Sequence, residues 1–355
     1  MTRSGSDNPE LAPITRGQFL GGSARAVGVA VIGGGALSGF LAACGGSSGN
    51  GGSKISTVTF QESWLNNVEF AGVYVAVKKG YFADAGIKVN VLPGGTTVDP
   101  RNSVANGAAL IGSVAVGTDE VLAVSQGADI QAIGAQFQKN PGCLMVRADS
   151  GIESVKDMKG KTIGLQNAAR QQISGILQHN GLQKGDVKLV TVGYDATPFA
   201  LGKVDAFTAF AFNEPIALAQ KGIQTKCFSF SDIGLPAYGD VMIARTSTIK
   251  KEPELLAGFI GAARRGWQYT IDHPDEATQL TLDGFAKDQN SKQQRAQMTV
   301  EIPMLHSEAT KSHGLLWMDK TVWQQSIDFM STAKLLTKPV SVDDVMTNDI
   351  LDRVG

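Results

Sequence analysis

The chain has 355 residues, 18% of them charged, and its 32 Lys and Arg against 33 Asp and Glu leave a formal net charge of −1. No basic run, stripe or tail is present, so the electrostatic footprint of a nucleic-acid binder is missing and no nucleic-acid partner is expected. A hydrophobic content of 43% is that of a globular protein, and the length suffices for two lobes of ordinary domain size.

In chain order, Arg3, Arg16 and Arg25 precede an apolar stretch from Ala26 to Ala43. A positive leader, a short apolar region and small residues at its end form a secretory signal pattern. Gly28, Gly33, Gly34, Gly35 and Gly39 make the same stretch a poor spanning helix. Leu41-Ala42-Ala43-Cys44 resembles a bacterial lipobox. That resemblance implies cleavage before Cys44, lipidation of its thiol, and a protein held outside the cytoplasm on the cell membrane. Residues 1–43 are then a signal peptide, and the Gly- and Ser-rich residues 44–54 a flexible tether. Thr15-Arg16-Gly17-Gln18-Phe19-Leu20 resembles a twin-arginine export signal with Gly17 in place of the second arginine, which leaves the export route open.

Beyond the tether, strand and helix patterns alternate, which predicts an α/β architecture. Ile55–Phe60 alternates as a strand. Phe70, Val73, Tyr74 and Val77 share one helical face, ended by Gly80. Strands are expected at Ile87–Val91, Ala108–Val114 and Ile130–Phe137, with a helix over Asp119–Val124. A second series follows: Cys143–Val146, Lys161–Leu165, Val187–Val192 and Val204–Phe212. Val241–Ala244 reads as a strand returning to the first lobe. Helices are expected at Leu255–Tyr269, Pro274–Phe285 and Trp317–Leu335. The chain is therefore read as lobe I over residues 55–142 and 246–355, with lobe II over 143–245.

Several stretches carry a likeness to a known family. Among them are Trp64-Leu65-Asn66-Asn67-Val68-Glu69-Phe70-Ala71-Gly72-Val73-Tyr74, Ser154-Val155-Lys156-Asp157-Met158-Lys159-Gly160, and Asn213-Glu214-Pro215-Ile216. Together with Arg265-Gly266-Trp267-Gln268-Tyr269 they resemble the substrate-binding proteins of ABC importers, in the branch that takes thiamine pyrimidine precursors. Relatives of that branch bind riboflavin, aliphatic sulfonates, taurine or nitrate. The resemblance implies the type II periplasmic-binding-protein fold, in which two α/β lobes are joined by two crossing strands around a ligand cleft. It further implies a monomer that delivers a small-molecule ligand to permease and ATPase subunits. A fungal pyrimidine synthase of the same fold is the enzyme alternative. It needs a Cys cluster, a reactive His and a lysine for pyridoxal phosphate, and the Cys cluster is missing here. A lipoprotein that senses solute through a receptor is a third class.

Ligands of open α/β sheets bind at the carboxyl ends of strands, which selects the candidate residues. Trp64 offers a flat ring for stacking, or else seals a sheet edge. Asn67 lies beside it. Gly95, Thr96 and Ser113 follow or end lobe I strands, and Gln138 ends a third. In lobe II, Asn167 follows one strand, Asp195 another, and Asn213-Glu214 a third. Glu214 either accepts the amino edge of an aminopyrimidine or offsets a helix dipole. Tyr238 completes the set. No CxxC, HxxxH or HExxH is present, so neither a metal nor a cofactor is expected. Cys143 and Cys227 either pair after export or stay as two structural thiols. Trp267, Tyr269, Trp317 and Trp323 are read as core.

Overall fold

The computed structural model describes residues 55–354. The signal, lipobox and tether readings, Cys44 included, lie outside the described residues. Two five-stranded mixed sheets organise the rest. The first contains β1 (Ser56–Gln61), β2 (Ile87–Leu92), β3 (Ile111–Val116), β4 (Ile130–Phe137) and β10 (Gly239–Arg245), in the order β2-β1-β3-β10-β4. The second contains β5 (Gly142–Arg147), β6 (Thr162–Leu165), β7 (Lys188–Thr191), β8 (Ala206–Phe210) and β9 (Thr225–Ser229), in the order β7-β6-β8-β5-β9. Four strands of each sheet run in one direction, and one strand entering from the other lobe lies antiparallel among them: β10 between β3 and β4, β5 between β8 and β9. This is the two-lobed α/β architecture of periplasmic binding proteins.

The chain crosses between sheets twice, after Phe137 and again between Ser229 and Gly239. The second crossing corrects the expected boundary. Residues 239–245 pair with β3 and β4, so they belong to lobe I and the switch precedes the strand instead of following residue 245. Several elements carried no sequence expectation, among them β9 and the helix Ser291–Met304. β9 is a short edge strand whose residues are all half-buried, so Thr-Lys-Cys-Phe-Ser lacks a clean inside-outside contrast. The helix Ser291–Met304 buries Gln294, Gln297, Met298 and Glu301, a mostly polar face without an apolar stripe.

Lobe I packs its helices unusually close. Gly72 in the helix Ala71–Lys78 faces Gly266 in the helix Pro253–Asp272, and a Cβ on Gly266 would sit 1.9 Å from the Gly72 carbonyl oxygen. A Cβ on Gly72 would meet the Trp267 ring at 2.3 Å. Trp267 is wholly buried and Trp323 nearly so, whereas Trp317 is only half-buried and stacks on His313 with centroids 4.2 Å apart. Among the described residues, no helix is long and apolar enough to cross a membrane.

Because the obstacle at Gly266 is backbone, it cannot rotate aside. Gly266→Ala is expected to destabilise the protein by about 1–3 kcal/mol, read as a lower urea midpoint. Gly258→Ala, where the nearest atom is a flexible Ile87 methyl at 3.2 Å, is expected to stay close to the parent.

Candidate functional site

A cavity of about 400 Å³ opens between the two sheets, walled by residues that follow the carboxyl ends of their strands. Lobe I contributes Ser63 and Trp64 after β1, Gly95 and Thr96 after β2, and Val116 and Asp119 where β3 passes into the helix Gly117–Ser125. Lobe II contributes Gln166 after β6, Tyr194 after β7, Asn213 and Glu214 after β8, and Phe230 after β9. Of the sequence-selected residues, Trp64, Gly95, Thr96, Asn213 and Glu214 therefore share one cavity.

The remaining candidates are absent from the cavity wall, each for a visible reason. Asn67 is buried and caps the turn Val68–Phe70, accepting from the Glu69 N–H at 2.6 Å and donating to Glu69 Oε2 at 3.3 Å. Ser113 is buried and donates to Asp240 Oδ1 at 3.2 Å. Gln138 donates to the carbonyls of Ala135 and Trp317 and accepts from Ser307 Oγ. Asn167 is exposed while its neighbours Gln166 and Ala168 line the wall. Asp195 accepts from the Thr197 N–H and hydroxyl, which hold its carboxyl below the usual range. Tyr238 is buried beside Trp323, and its hydroxyl accepts from the Asp319 N–H at 2.6 Å.

Several wall residues had no sequence signal. Arg101 is held in a fork by Asp99, with Nε and Nη2 each 2.9 Å from a carboxylate oxygen, and Nη1 donates to the Asp119 carbonyl at 2.8 Å. It is the only Arg, Lys or His in the cavity wall among the described residues. Gln172, on the lobe II helix Arg170–His179, reaches across the cleft. Its Nε2 donates to Thr118 Oγ1 and Asp119 Oδ1, both at 3.0 Å. At the mouth, Trp64 of lobe I meets Tyr194 of lobe II, with ring centroids 4.7 Å apart and planes tilted 51°. Phe210, Phe212 and Phe230 make a second aromatic wall.

The charge balance is acidic. Glu69, Asp99, Asp119 and Glu214 all line the cavity. Glu214 Oε2 accepts from the Phe210 N–H at 2.8 Å and Oε1 from Asn213 Nδ2 at 3.2 Å. Burial nevertheless pushes its carboxyl above the ordinary value, as it does that of Asp119. Beneath the lobe I wall, Asp240 accepts from Ser63 Oγ at 2.8 Å and from Ser113. It sits at φ +42°, in the left-handed region that few residues other than Gly, Asn and Asp tolerate.

The NMT1/THI5-like family matches residues 67–277, more than half of the chain. The chain belongs to that family. Among curated relatives of this family member, the riboflavin-binding protein RibY of Chloroflexus aurantiacus is 28% identical over 311 residues, covering 84% of this chain and 86% of the relative. The formylaminopyrimidine-binding protein of Halalkalibacterium halodurans is 23% identical over 314 residues, covering 87% and 95%. Among solved structures, the alkanesulfonate-binding protein SsuA of Xanthomonas axonopodis, bound to MOPS, superposes with a TM-score of 0.63 at 15% identity, covering 83% of this chain and 99% of that one. That likeness is one of fold.

Buried acids give this NMT1/THI5-like protein a distinctive pH response. Burial raises Glu62, Glu120 and Glu301 to about 8, and Asp240 to about 6. In the unfolded chain these carboxyls ionise near their ordinary values of about 4. Between those limits the folded state binds more protons, so the contribution is complete below about pH 4 and is lost as pH rises through 8. Urea midpoints are expected to fall steadily from pH 5 to pH 8.5. Glu301→Gln, which keeps an acceptor for Gln297 Nε2 (2.7 Å from Glu301 Oε1 in the parent), is expected to flatten that slope. A slope unchanged by the substitution would show that Glu301 is ionised when folded.

Proposed function

We propose that this chain is the solute-binding component of an ABC importer, and that its cleft takes a small planar heterocycle bearing hydrogen-bond donors, of the thiamine-pyrimidine-precursor class. One observation carries the choice of ligand: an aromatic-walled cleft lined by four carboxyl groups, whose single basic residue among the described residues, Arg101, is paired with Asp99 and also donates to the Asp119 carbonyl. An anionic sulfonate or nitrate entering this cleft would meet carboxylates and no unpaired cation. An amino-substituted ring would instead find a stacking face at Trp64 and a carboxyl acceptor at Glu214. The formylaminopyrimidine-binding relative supports this reading.

Riboflavin is the second reading, favoured by the cavity itself. A volume of about 400 Å³ falls in the range of pockets that enclose ligands larger than one ring, and it spans both aromatic walls. The relative RibY points the same way.

Capture and release need affinity and lobe closure, with no bond made or broken. In support of binding over catalysis, the described residues of the wall include no His, Cys or Lys. Relatives named as pyrimidine phosphate synthases are 21–25% identical over 230–240 residues, and their reaction is not assigned to this chain. In the proposed setting the protein is exported, cut before Cys44 and tethered by lipid there as a monomer. The tether keeps it close to its permease and raises its effective concentration at the transporter.

Thermal-shift titration of the purified chain with formylaminopyrimidine, riboflavin, taurine and nitrate tests the assignment, because ligand binding to the folded state raises its stability. A shift with one of the first two and none with taurine or nitrate is expected. A shift with taurine alone would overturn the reading. Trp64→Ala is expected to weaken binding of the shifting ligand about 10-fold, and Glu214→Ala about 10- to 100-fold, measured by calorimetry on variants whose melting confirms folding.

A further inference from the structure

Cys143 and Cys227 lie on neighbouring antiparallel strands of lobe II. In the register of β5 and β9, Cys143 faces Ser229 and Met145 faces Cys227, so both thiols project from the same face of the sheet, on a diagonal. Their sulfurs are 2.8 Å apart, closer than the roughly 3.5–4.0 Å of ordinary non-bonded contact. A bond of about 2.05 Å is thus within about an ångström of the existing separation. Cys143 is wholly buried, packed with Phe207, Ala209 and Leu218, while Cys227 is half-buried on the edge strand. The two thiols therefore differ in access, and only one of them meets a reagent from solution.

We infer that Cys143 and Cys227 are an oxidisable pair that closes to an intramolecular disulfide by exchange with an external disulfide, of small-molecule or protein origin. The Cys227 thiolate attacks one sulfur of the oxidant, displacing the other as a thiolate and forming a mixed disulfide. The deprotonated Cys143 sulfur then attacks the Cys227 sulfur, displacing the second half of the oxidant. Two protons leave the protein, its two thiols are oxidised by two electrons, and the oxidant's disulfide is reduced to two thiols. The roles follow from access. Charge agrees, because contact with Cys227, burial and the nearby Glu214 carboxyl hold the thiol of Cys143 in the reduced pair well above its usual range, which makes it the poorer first nucleophile.

The bond would tie the edge strand β9 to β5 and close a loop between residues 84 positions apart. Both strands abut the cleft wall: Gly142 opens β5, Phe230 follows β9, and the Phe230 N–H donates to the Gly142 carbonyl at 2.9 Å. Oxidation therefore stabilises the wall that carries Phe230. The use of this chemistry in the cell rests on the proposed export, which brings the pair to an oxidising compartment.

The test treats the purified full chain with glutathione disulfide, then with dithiothreitol, and maps peptides without reduction. The expected product is a linked pair of peptides containing Cys143 and Cys227, in a chain lighter by two hydrogens, with Tm raised by about 5–10 °C and both changes reversed by dithiothreitol. In Cys143→Ser, Cys227 is expected to stop at the mixed glutathione disulfide with no rise in Tm. A parent chain that itself stops at the mixed disulfide, links Cys227 to Cys44, or leaves both thiols open to alkylation after unfolding would overturn the inference. None of these readouts involves a transported ligand, so failure here leaves the binding reading standing, and failure of the ligand titrations leaves the thiol pair standing.

Discussion

The site depends on one buried carboxyl. Asp240 is the second residue of the strand that brings the chain back into lobe I, and its Oδ1 gathers the hydroxyls of Ser63, just after β1, and Ser113, within β3. Those bonds tie the returning strand to two of the three strands whose carboxyl ends carry the lobe I wall. They also hold a non-glycine residue at a positive φ, a conformation that persists only where the surroundings enforce it. Trp64 and Asp119 occupy their places because β1 and β3 end beside this anchor, and the crossing from lobe II arrives at the same point.

A further layer of acids lies close to Asp240, with Glu69 also reaching the cavity wall. Glu62, Glu69 and Glu301 are buried in lobe I, and Glu62 and Glu301 are held neutral near pH 7 by desolvation. The polar face of the helix Ser291–Met304 serves this layer. Gln294 accepts from the Val68 N–H at 2.9 Å, and Gln297 donates to Asn67 at 3.1 Å and to Glu301 at 2.7 Å. Behind the cleft wall these bonds form a polar network within an apolar lobe, and they fix the turn that follows Trp64 through Asn67 and the Val68 N–H.

Much of the scaffold was legible from alternation and small-residue punctuation. Ile130–Phe137 agrees residue for residue with β4, and other strands fall within a few residues. Strand-end logic also reached Trp64, Gly95, Thr96, Asn213 and Glu214, since such residues face the cleft wherever the strand leads. It failed at Ser113, Gln138 and Tyr238, which are equally polar-tipped and equally near a strand end but point into lobe I, a matter of side-chain parity that composition does not show. Gln172 and Tyr194 escaped notice for the opposite reason: their partners lie 53 and 130 positions away along the chain, so nothing local marks them; Arg101 pairs with Asp99 two residues away, and only its bond to the Asp119 carbonyl, 18 positions on, ties it to the wall. β9 and the helix Ser291–Met304 were missed because one is uniformly half-buried and the other buries amides in place of an apolar stripe.

The bridge from Gln172 to Thr118 and Asp119, and the contact of Trp64 with Tyr194, each run from one lobe to the other. They set the spacing of the two walls by a few polar and aromatic contacts at the rim, so a change in the angle between the sheets has to break them or carry their side chains along. The rim of the cleft is therefore also its hinge stop, and a substitution there acts on the motion of the lobes as well as on the wall.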